Sequence, residues 1–466
     1  MSTVDRGVVE QSAPTDEFLN VETHGIEAIP DSERHGRPRE LGFLWAGAFV
    51  NYASLLTASL LTTYYGLGVW DGLLAVAIGT VAGAVLLGLL SNTGPRSGQP
   101  QIIFTQRVFG RRGAYPGAFL TLFLGVGWFA VDTVIAALAG VQLLEVLGVK
   151  AEVAGKFLFP WVLVIAAISV AVAVYGHRTI KVFETFGAIL FAALSVVLFA
   201  LLAGQMHWTA GPSVTGAAYP GAFILGAMSC FALVASWYPF ASDYSRYLPP
   251  TSSTLAVTWW PVLGVTLPMI LLGLFGLLAP TIDPKLASDQ GVLAVFTRHA
   301  PAAVAVPFFA FVILGEIWAN YLDVYTAGLV TLTLGVQLKR WQTALGAGVL
   351  GAAIATVAVV IWDFHLFYED FLILTYLWAP AWAAVVLLTV FVLKRAKPKP
   401  ALLAWLIGTA ASLIFVNYPN LFSSVLPDTH FPNQALIDAL QGADLSGVVS
   451  VLVAAASYLG LRRLMV

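Results

Sequence analysis

Four carboxylates stand where the chain is otherwise apolar: Asp132, Asp243, Glu316 and Asp323. A carboxylate accepts hydrogen bonds from a donor-bearing ligand, and out of water it can also take up and release a proton. Asp132 lies in GVGWFAVDTVIAALAG, four residues after Trp128. That spacing puts ring and acid on one helix face. A planar molecule could stack on the indole while hydrogen-bonding to the carboxylate. The second cluster is GEIWANYLDVYTAGL, where Glu316, Asn320 and Asp323 form one helical stripe. Such a stripe faces a water-filled path or bonds to neighbouring helices. Two carboxylates exceed what bracing alone needs, so the stripe reads as part of a path, with one acid free to brace. Asp243 and Arg246, at i, i+3 spacing, read instead as a structural ion pair at a helix end.

The elements that carry these groups are membrane spans. Hydrophobic residues make up 59% of the 466 positions and charged residues only 10%, against roughly 25% in a soluble domain. Soluble enzymes, disordered proteins and nucleic-acid binders are therefore excluded. A spanning helix needs about 20 mostly apolar residues. Twelve stretches qualify, near 41–66, 70–91, 114–147, 157–176, 182–204, 220–240, 256–280, 303–335, 343–362, 371–393, 400–417 and 447–465. With both termini placed in the cytoplasm, the outer loops hold only Lys150, Lys156, Lys285 and Arg298 of the 23 basic residues. The other nineteen fall inside, as the positive-inside bias demands. The chain thus reads as an all-α polytopic protein of the cell membrane. Residues 1–40, polar and rich in Pro and mixed charge, read as a mostly disordered cytoplasmic tail rather than a signal peptide.

Two spans carry signs of interruption. Pro239, in SCFALVASWYPFASDYSRYLPP, breaks the sixth, leaving Ser236 and Trp237 at the break. Gly47, Asn51, Ser54 and Thr57 lie at mid-depth in the first. Paired breaks five spans apart point to an inverted repeat with a binding site between the halves. Other chemistry is missing. No G-x-x-x-x-G-K-[ST] loop supports an ATP-driven pump, and no Cys/His cluster has metal-site spacing. Cys230 has no internal disulfide partner.

Together these segments resemble the purine–cytosine permease branch of the nucleobase:cation symporter family. The stretches that carry the resemblance are GPRSGQPQIIFTQRVFGRRG, GWFAVDTVIAALAG, SWYPFASDYSRYLP, NYLDVYTAGL and FLILTYLWAPAWAAVVL, from about residue 40 to 395. The resemblance implies a LeuT-type fold: a transport core over 41–393, made of repeats 41–204 and 220–393, then two further helices over 400–466. It implies alternating access and symport of a nucleobase-like heterocycle with a cation. Carried over by position, Trp128 stacks on the heterocycle, Asp132 falls where the family has an amide, and Ser236 and Trp237 match the sixth-span site. Asn320 and Asp323 meet substrate or brace the site, and Phe49 and Asn51 fall in the first-span break.

Two departures stand out. Asp replaces an amide at 132 and at 323, which suits a substrate with more donors, or more positive charge, than uracil. Sodium-coupled relatives carry adjacent Ser/Thr hydroxyls in the eighth span where this chain has Trp318 and Ala319. Proton coupling through Asp132, Glu316 or Asp323 is therefore expected, with no cofactor, no metal and no obligatory protein partner. A vitamin precursor or another nitrogen heterocycle as cargo, and sodium as the coupling ion, remain the alternatives.

Overall fold

The computed structural model describes residues 27–175, 177–360, 364–417 and 433–465. Each of the twelve expected stretches holds a helix, and the described residues contain no strand. Ten helices are long and apolar enough to cross a membrane. The first expected span makes an eleventh only as a bent pair, Arg39–Phe49 and Tyr52–Thr63, which meet at 60°. The fifth is His177–Leu202, and the apolar stretch described there, Ile189–Gln205, is shorter than a full crossing needs. The chain is thus an all-helical integral membrane protein.

The helices pack in two groups. The first, second (Val69–Ser91), sixth (Ala218–Ala235) and seventh (Thr254–Leu278) lie against one another. The third (Tyr115–Val146), fourth (Leu158–Tyr175), eighth (Ala302–Thr333) and ninth (Arg340–Val360) form the other, with the fifth along the eighth. Each group contains spans and their counterparts five places later. The eleventh (Pro398–Phe415) and twelfth (Ser446–Leu464) pack together and against the tenth (Phe364–Leu387).

Close approach of the third and eighth helices is what brings the acids together. Gly125 makes it possible: a Cβ there would lie 3.0 Å from the Asp323 carbonyl oxygen. Small side chains at such seams let backbones meet where lipid supplies no hydrophobic drive.

Within the stretch 1–40, expected to be mostly disordered, the described residues 27–40 are ordered. Ile29 is buried, and its amide donates to the Gly98 carbonyl. Arg34 donates to Pro95 O at 3.0 Å and pairs with Asp31 at 3.1 Å. His35 N donates to Tyr247 O. An apolar anchor and a basic side chain therefore pin this stretch against the loop after the second span and the end of the sixth. Composition alone hides that, because a few specific contacts suffice to order a polar segment.

Candidate functional site

The first-span break is built by local chemistry. Val50 and Asn51 leave the helical region, and Asn51 caps the second half-helix. Its Oδ1 accepts from Ser54 N and Ser54 Oγ, each at 3.0 Å, and its Nδ2 donates to Ala48 O at 3.0 Å. The Asn51 amide is thus committed to holding the break, a good N-cap at a point where two backbone ends meet.

Glu316 closes the same break from the eighth helix. Its Oε1 accepts from Tyr52 N at 3.2 Å, and the Ala53 amide also reaches it. A carboxylate at a helix N-terminus is favoured by the unpaired N–H groups and by the helix dipole. Glu316 is fully buried.

Asp132 meets this group from the third helix. Its carboxyl is within hydrogen-bonding reach of both Glu316 and Asp323. Glu316 Oε2 and both Asp323 oxygens are buried and have no N–H or hydroxyl donor. Two carboxyls can hydrogen-bond only if one carries a proton. The triad is therefore a place where protons, or a donor-rich ligand, must satisfy the oxygens. Three bare negative charges in a dry interior are too costly to persist. Among the described residues, no group of three or more His, Cys, Asp and Glu is arranged to hold a metal.

Aromatic walls flank the triad. Trp128, one turn before Asp132, meets Phe371 edge-on at 5.3 Å and Tyr368 at 6.3 Å. Tyr368 OH and Thr57 Oγ1 lie 2.9 Å apart, joining the tenth helix to the first. Trp128 Nε1 is buried with no partner. On the other side of the break, Trp237 meets Trp45 at 5.6 Å and Phe49 at 6.4 Å. A cavity of about 20 Å³, room for roughly one water, lies there between Asn51, Trp237, Trp318 and Ala319.

The expected residues thus divide. Trp128, Asp132, Glu316 and Asp323 converge. Phe49 and Trp237 share the aromatic wall beyond the break. Asn320 turns away: its Nδ2 donates to Thr133 Oγ1 at 2.9 Å and to Ser169 Oγ at 3.2 Å, bracing the eighth helix against the third and fourth. Ser236 Oγ donates to the Leu233 carbonyl of its own helix at 2.7 Å. The sixth-span interruption is present just beyond it, as a tight turn over Tyr238–Phe240.

Asp243 and Arg246 do more than pair with each other. Asp243 Oδ1 accepts from Gln101 N at 2.8 Å, and its carboxylate reaches Thr326. Arg246 donates to Tyr325 OH at 3.4 Å. Both therefore tie the sixth-span end to the C-terminal half of the eighth helix. Tyr368, Phe371 and Thr57 were not expected at the site. The tenth span reads from 371 in sequence because FHLFYED is polar, yet the helix starts at Phe364.

Three comparisons place this geometry among known proteins. A family model described as a permease for cytosine/purines, uracil, thiamine and allantoin matches residues 28–404. A putative purine-cytosine permease of Bacillus subtilis is 26% identical over 322 residues, 68% of this chain and 66% of that one. A purine-cytosine permease of Saccharomyces cerevisiae is 24% identical over 372 residues, 76% of this chain and 68% of its own. The match thus spans about two thirds of these relatives' length. In fold, the chain is similar to a nucleobase-cation-symport-1 family transporter in a closed conformation with bromovinylhydantoin bound. The TM-score is 0.72 at 17% identity, over 94% of this chain and 95% of that one.

Proposed function

Because the chain belongs to the family of permeases for cytosine/purines, uracil, thiamine and allantoin, we propose that it is a secondary transporter. It imports a purine- or cytosine-type heterocycle across the cell membrane by alternating access, with both termini cytoplasmic and protons as the coupling ion. The observation that carries this reading is the carboxyl triad of Asp132, Glu316 and Asp323 at the break of the first helix.

The triad joins the two helix groups. Glu316 and Asp323 stand on the eighth helix, Asp132 on the third, and Glu316 holds the half-helix Tyr52–Thr63 of the other group. A proton arriving at this cluster changes the charge that caps that half-helix, which is a direct way to couple protonation to movement between groups. The small cavity beside the break favours the proton over sodium. Its lining contributes one side-chain oxygen, Asn51 Oδ1, already accepting from Ser54. Sodium binds through several oxygens at once. The division of the core into repeats 41–204 and 220–393 belongs to the same proposal. It is supported by the packing of spans with their counterparts five places on.

A second reading, import of a vitamin precursor, is favoured by one feature: the triad suits a more basic heterocycle, and the family's description extends to thiamine.

Melting of the purified protein against a panel of heterocycles, at two pH values with and without sodium, tests both readings. A ligand that binds the folded state raises its stability by mass action. Stabilisation by cytosine or a purine, stronger at the lower pH and indifferent to sodium, is expected. A requirement for sodium would end the proton reading, and stabilisation by thiamine-like compounds alone would favour the second.

A further inference from the structure

We infer that one corner of a membrane face binds the phosphate headgroup of an anionic phospholipid. There the stretch after the second span meets the end of the tenth helix, the start of the eleventh and the end of the twelfth. Lipid binding at this corner needs only that the chain spans a membrane, whatever it carries.

The sequence supplies the first support. Ten of the 23 basic residues fall in three segments: four from Arg96 to Arg112, four from Lys394 to Lys399, and Arg462 with Arg463. The chain around them has no acid from residue 72 to 131, from 371 to 427 or from 445 to 466. The bias that orients membrane proteins counts Lys and Arg and is nearly indifferent to Asp and Glu. Orientation alone therefore does not ask for acids to be absent. The segment ahead of the first span is the contrast. Arg34, Arg37 and Arg39 stand there among four acids, and Arg34 pairs with Asp31.

Packing gathers the three segments. The helix Gln101–Gly113 lies against the eleventh, with Phe109 meeting Trp405 at 5.5 Å. Gly110 turns with φ 75°, and a Cβ there would lie 3.3 Å from Pro398 Cβ. Arg111 and Arg112 thus leave this helix beside Lys397 and Lys399. Lys397 Nζ donates to Arg462 O and Met465 O, each at 3.2 Å, and Arg462 Nη1 donates to Arg395 O.

Four of the ten are accounted for by these bonds and by rings. Lys397 and Arg462 hold carbonyls, Arg96 lies over Phe391 at 4.7 Å, and Arg107 over Phe104 at 5.8 Å. Six remain: Arg111, Arg112, Lys394, Arg395, Lys399 and Arg463. All are exposed, and among the described residues none is paired with a carboxylate. Like charges on interlocked segments repel one another, and an anion with several oxygens relieves that. Phosphate fits, since guanidinium takes its oxygens in pairs and ammonium binds it as a point charge. Lys394 also holds a left-handed backbone, φ 55°, at the end of the π-helical turn Leu388–Leu393. Strain of that kind in a residue with a side chain gathers at functional sites.

The wall beside the charges makes the anion a lipid. Val392, Leu403, Leu406 and Leu464 are exposed within about two turns of them. A headgroup in the basic corner would lay its acyl chains on that apolar surface, the two-part recognition that basic pockets at span ends give anionic lipids. A free phosphate has no use for it.

The test places the purified full chain in phosphatidylcholine, alone or mixed with phosphatidylglycerol or cardiolipin. It reads melting in vesicles and, by native mass spectrometry, which lipid stays bound. Anionic lipid should be retained over phosphatidylcholine and should raise melting, more so at low salt. Two paired variants, Arg111→Gln with Arg112→Gln and Lys394→Gln with Arg395→Gln, should each weaken retention roughly 25-fold, about fivefold per basic side chain. Melting in phosphatidylcholine alone should not change, because the side chains are exposed, and either pair serves if the other does not fold. Lys285→Gln with Arg298→Gln, at another part of the surface, should leave retention as it is. Equal retention of both lipid classes would overturn the inference, as expected if the charges act only during insertion. So would an unchanged preference in the paired variants, or an equal loss in the control. Stabilisation matched by inorganic phosphate in phosphatidylcholine would assign the corner to a free anion and overturn the lipid.

Discussion

Two sets of buried carboxyls in this molecule differ in a way that separates scaffold from site. Asp444, ahead of the twelfth helix, has every oxygen spoken for. Its Oδ1 accepts from Ser446 N at 2.8 Å and Ser446 Oγ at 2.6 Å. Its Oδ2 accepts from Tyr376 OH at 2.6 Å and Asn417 N at 3.1 Å. The triad of Asp132, Glu316 and Asp323 is as deeply buried, but most of its oxygens face one another. Folding has finished with the first set and left the second open. Buried polar groups that a native structure leaves unsatisfied call for an explanation, and a ligand or proton is the economical one here.

The comparison is broken most sharply at Asp444. In Asp444→Ala, Tyr376 OH, Asn417 N and Ser446 N lose their acceptor together. A loss of about 3 kcal/mol or more is expected, since each buried orphan costs about 1–3. It should appear as a lower melting temperature with the ranking of ligands unchanged. A pH effect accompanies it. Burial pushes the Asp444 carboxyl above its usual range, and the four hydrogen bonds only partly pull it back. The folded state therefore holds this proton more tightly than the unfolded chain. The group's contribution is fully present below the unfolded carboxylate range, about pH 4, and declines as pH rises through the folded value. Melting profiles of native chain and Asp444→Ala should differ most across that window. Lost ligand discrimination in this variant would place Asp444 in the site after all.

At the triad the signs reverse. Asp323→Asn replaces an acid whose side-chain partner is the Asp132 carboxyl by an amide that can donate to Asp132 without a shared proton. Folded stability should hold or rise, by up to about 1–2 kcal/mol, as at sites where function opposes stability. Uptake should fall roughly tenfold to 100-fold, with its pH dependence flattened, because removing one charge-assisted hydrogen bond costs about 1.5–3 kcal/mol. Parallel melting and uptake assays on one preparation check both. A destabilised variant that still transports normally would make Asp323 another Asp444.

How much of this was legible in the sequence follows the same division. The spans were legible because a bilayer forces about 20 apolar residues on each crossing, whereas their packing into two groups was not. Trp128, Asp132, Glu316 and Asp323 stood out because charge in such runs is rare and helical spacing groups it. What escaped reading was pairing. Asn51 and Asn320 looked like ligand-binding amides, yet their hydrogen bonds go to Ser54 and Ala48, and to Thr133 and Ser169. A residue type states what a side chain can bond, and only the fold states what lies within reach. Tyr368 escaped for another reason: it lies in FHLFYED, ahead of the expected start of the tenth span at 371. Phe371 lay inside that span, where an apolar ring among apolar residues carries no signal of a site.

Asn51 sharpens the comparison at smaller scale. Asn51→Ala removes the cap of the second half-helix and costs about 1 kcal/mol. If its amide only shapes the break, ligand affinity should fall by no more than that amount converts to, roughly fivefold, for cytosine and uracil alike. A loss confined to one base would show that the amide turns to substrate during the cycle.

Ser236 should have the smallest effect, and it tests the rule most strictly. It lies at the expected sixth-span site, next to Trp237, but its hydroxyl donates to the Leu233 carbonyl one turn back. Such back-bonding is worth little, because that carbonyl lies at a helix end and the alternative hydroxyl rotamers cost little. Ser236→Ala should therefore change melting by less than about 0.5 kcal/mol and leave uptake within about twofold. Trp237→Ala, by contrast, empties a ring from the wall shared with Trp45 and Phe49, and should cost about 3 kcal/mol. If Ser236→Ala instead abolished uptake at full stability, the satisfied hydroxyl would have to open during transport. Satisfaction in one state would then no longer identify scaffold, and the line drawn between Asp444 and the triad would need the other states of the cycle before it could be drawn at all.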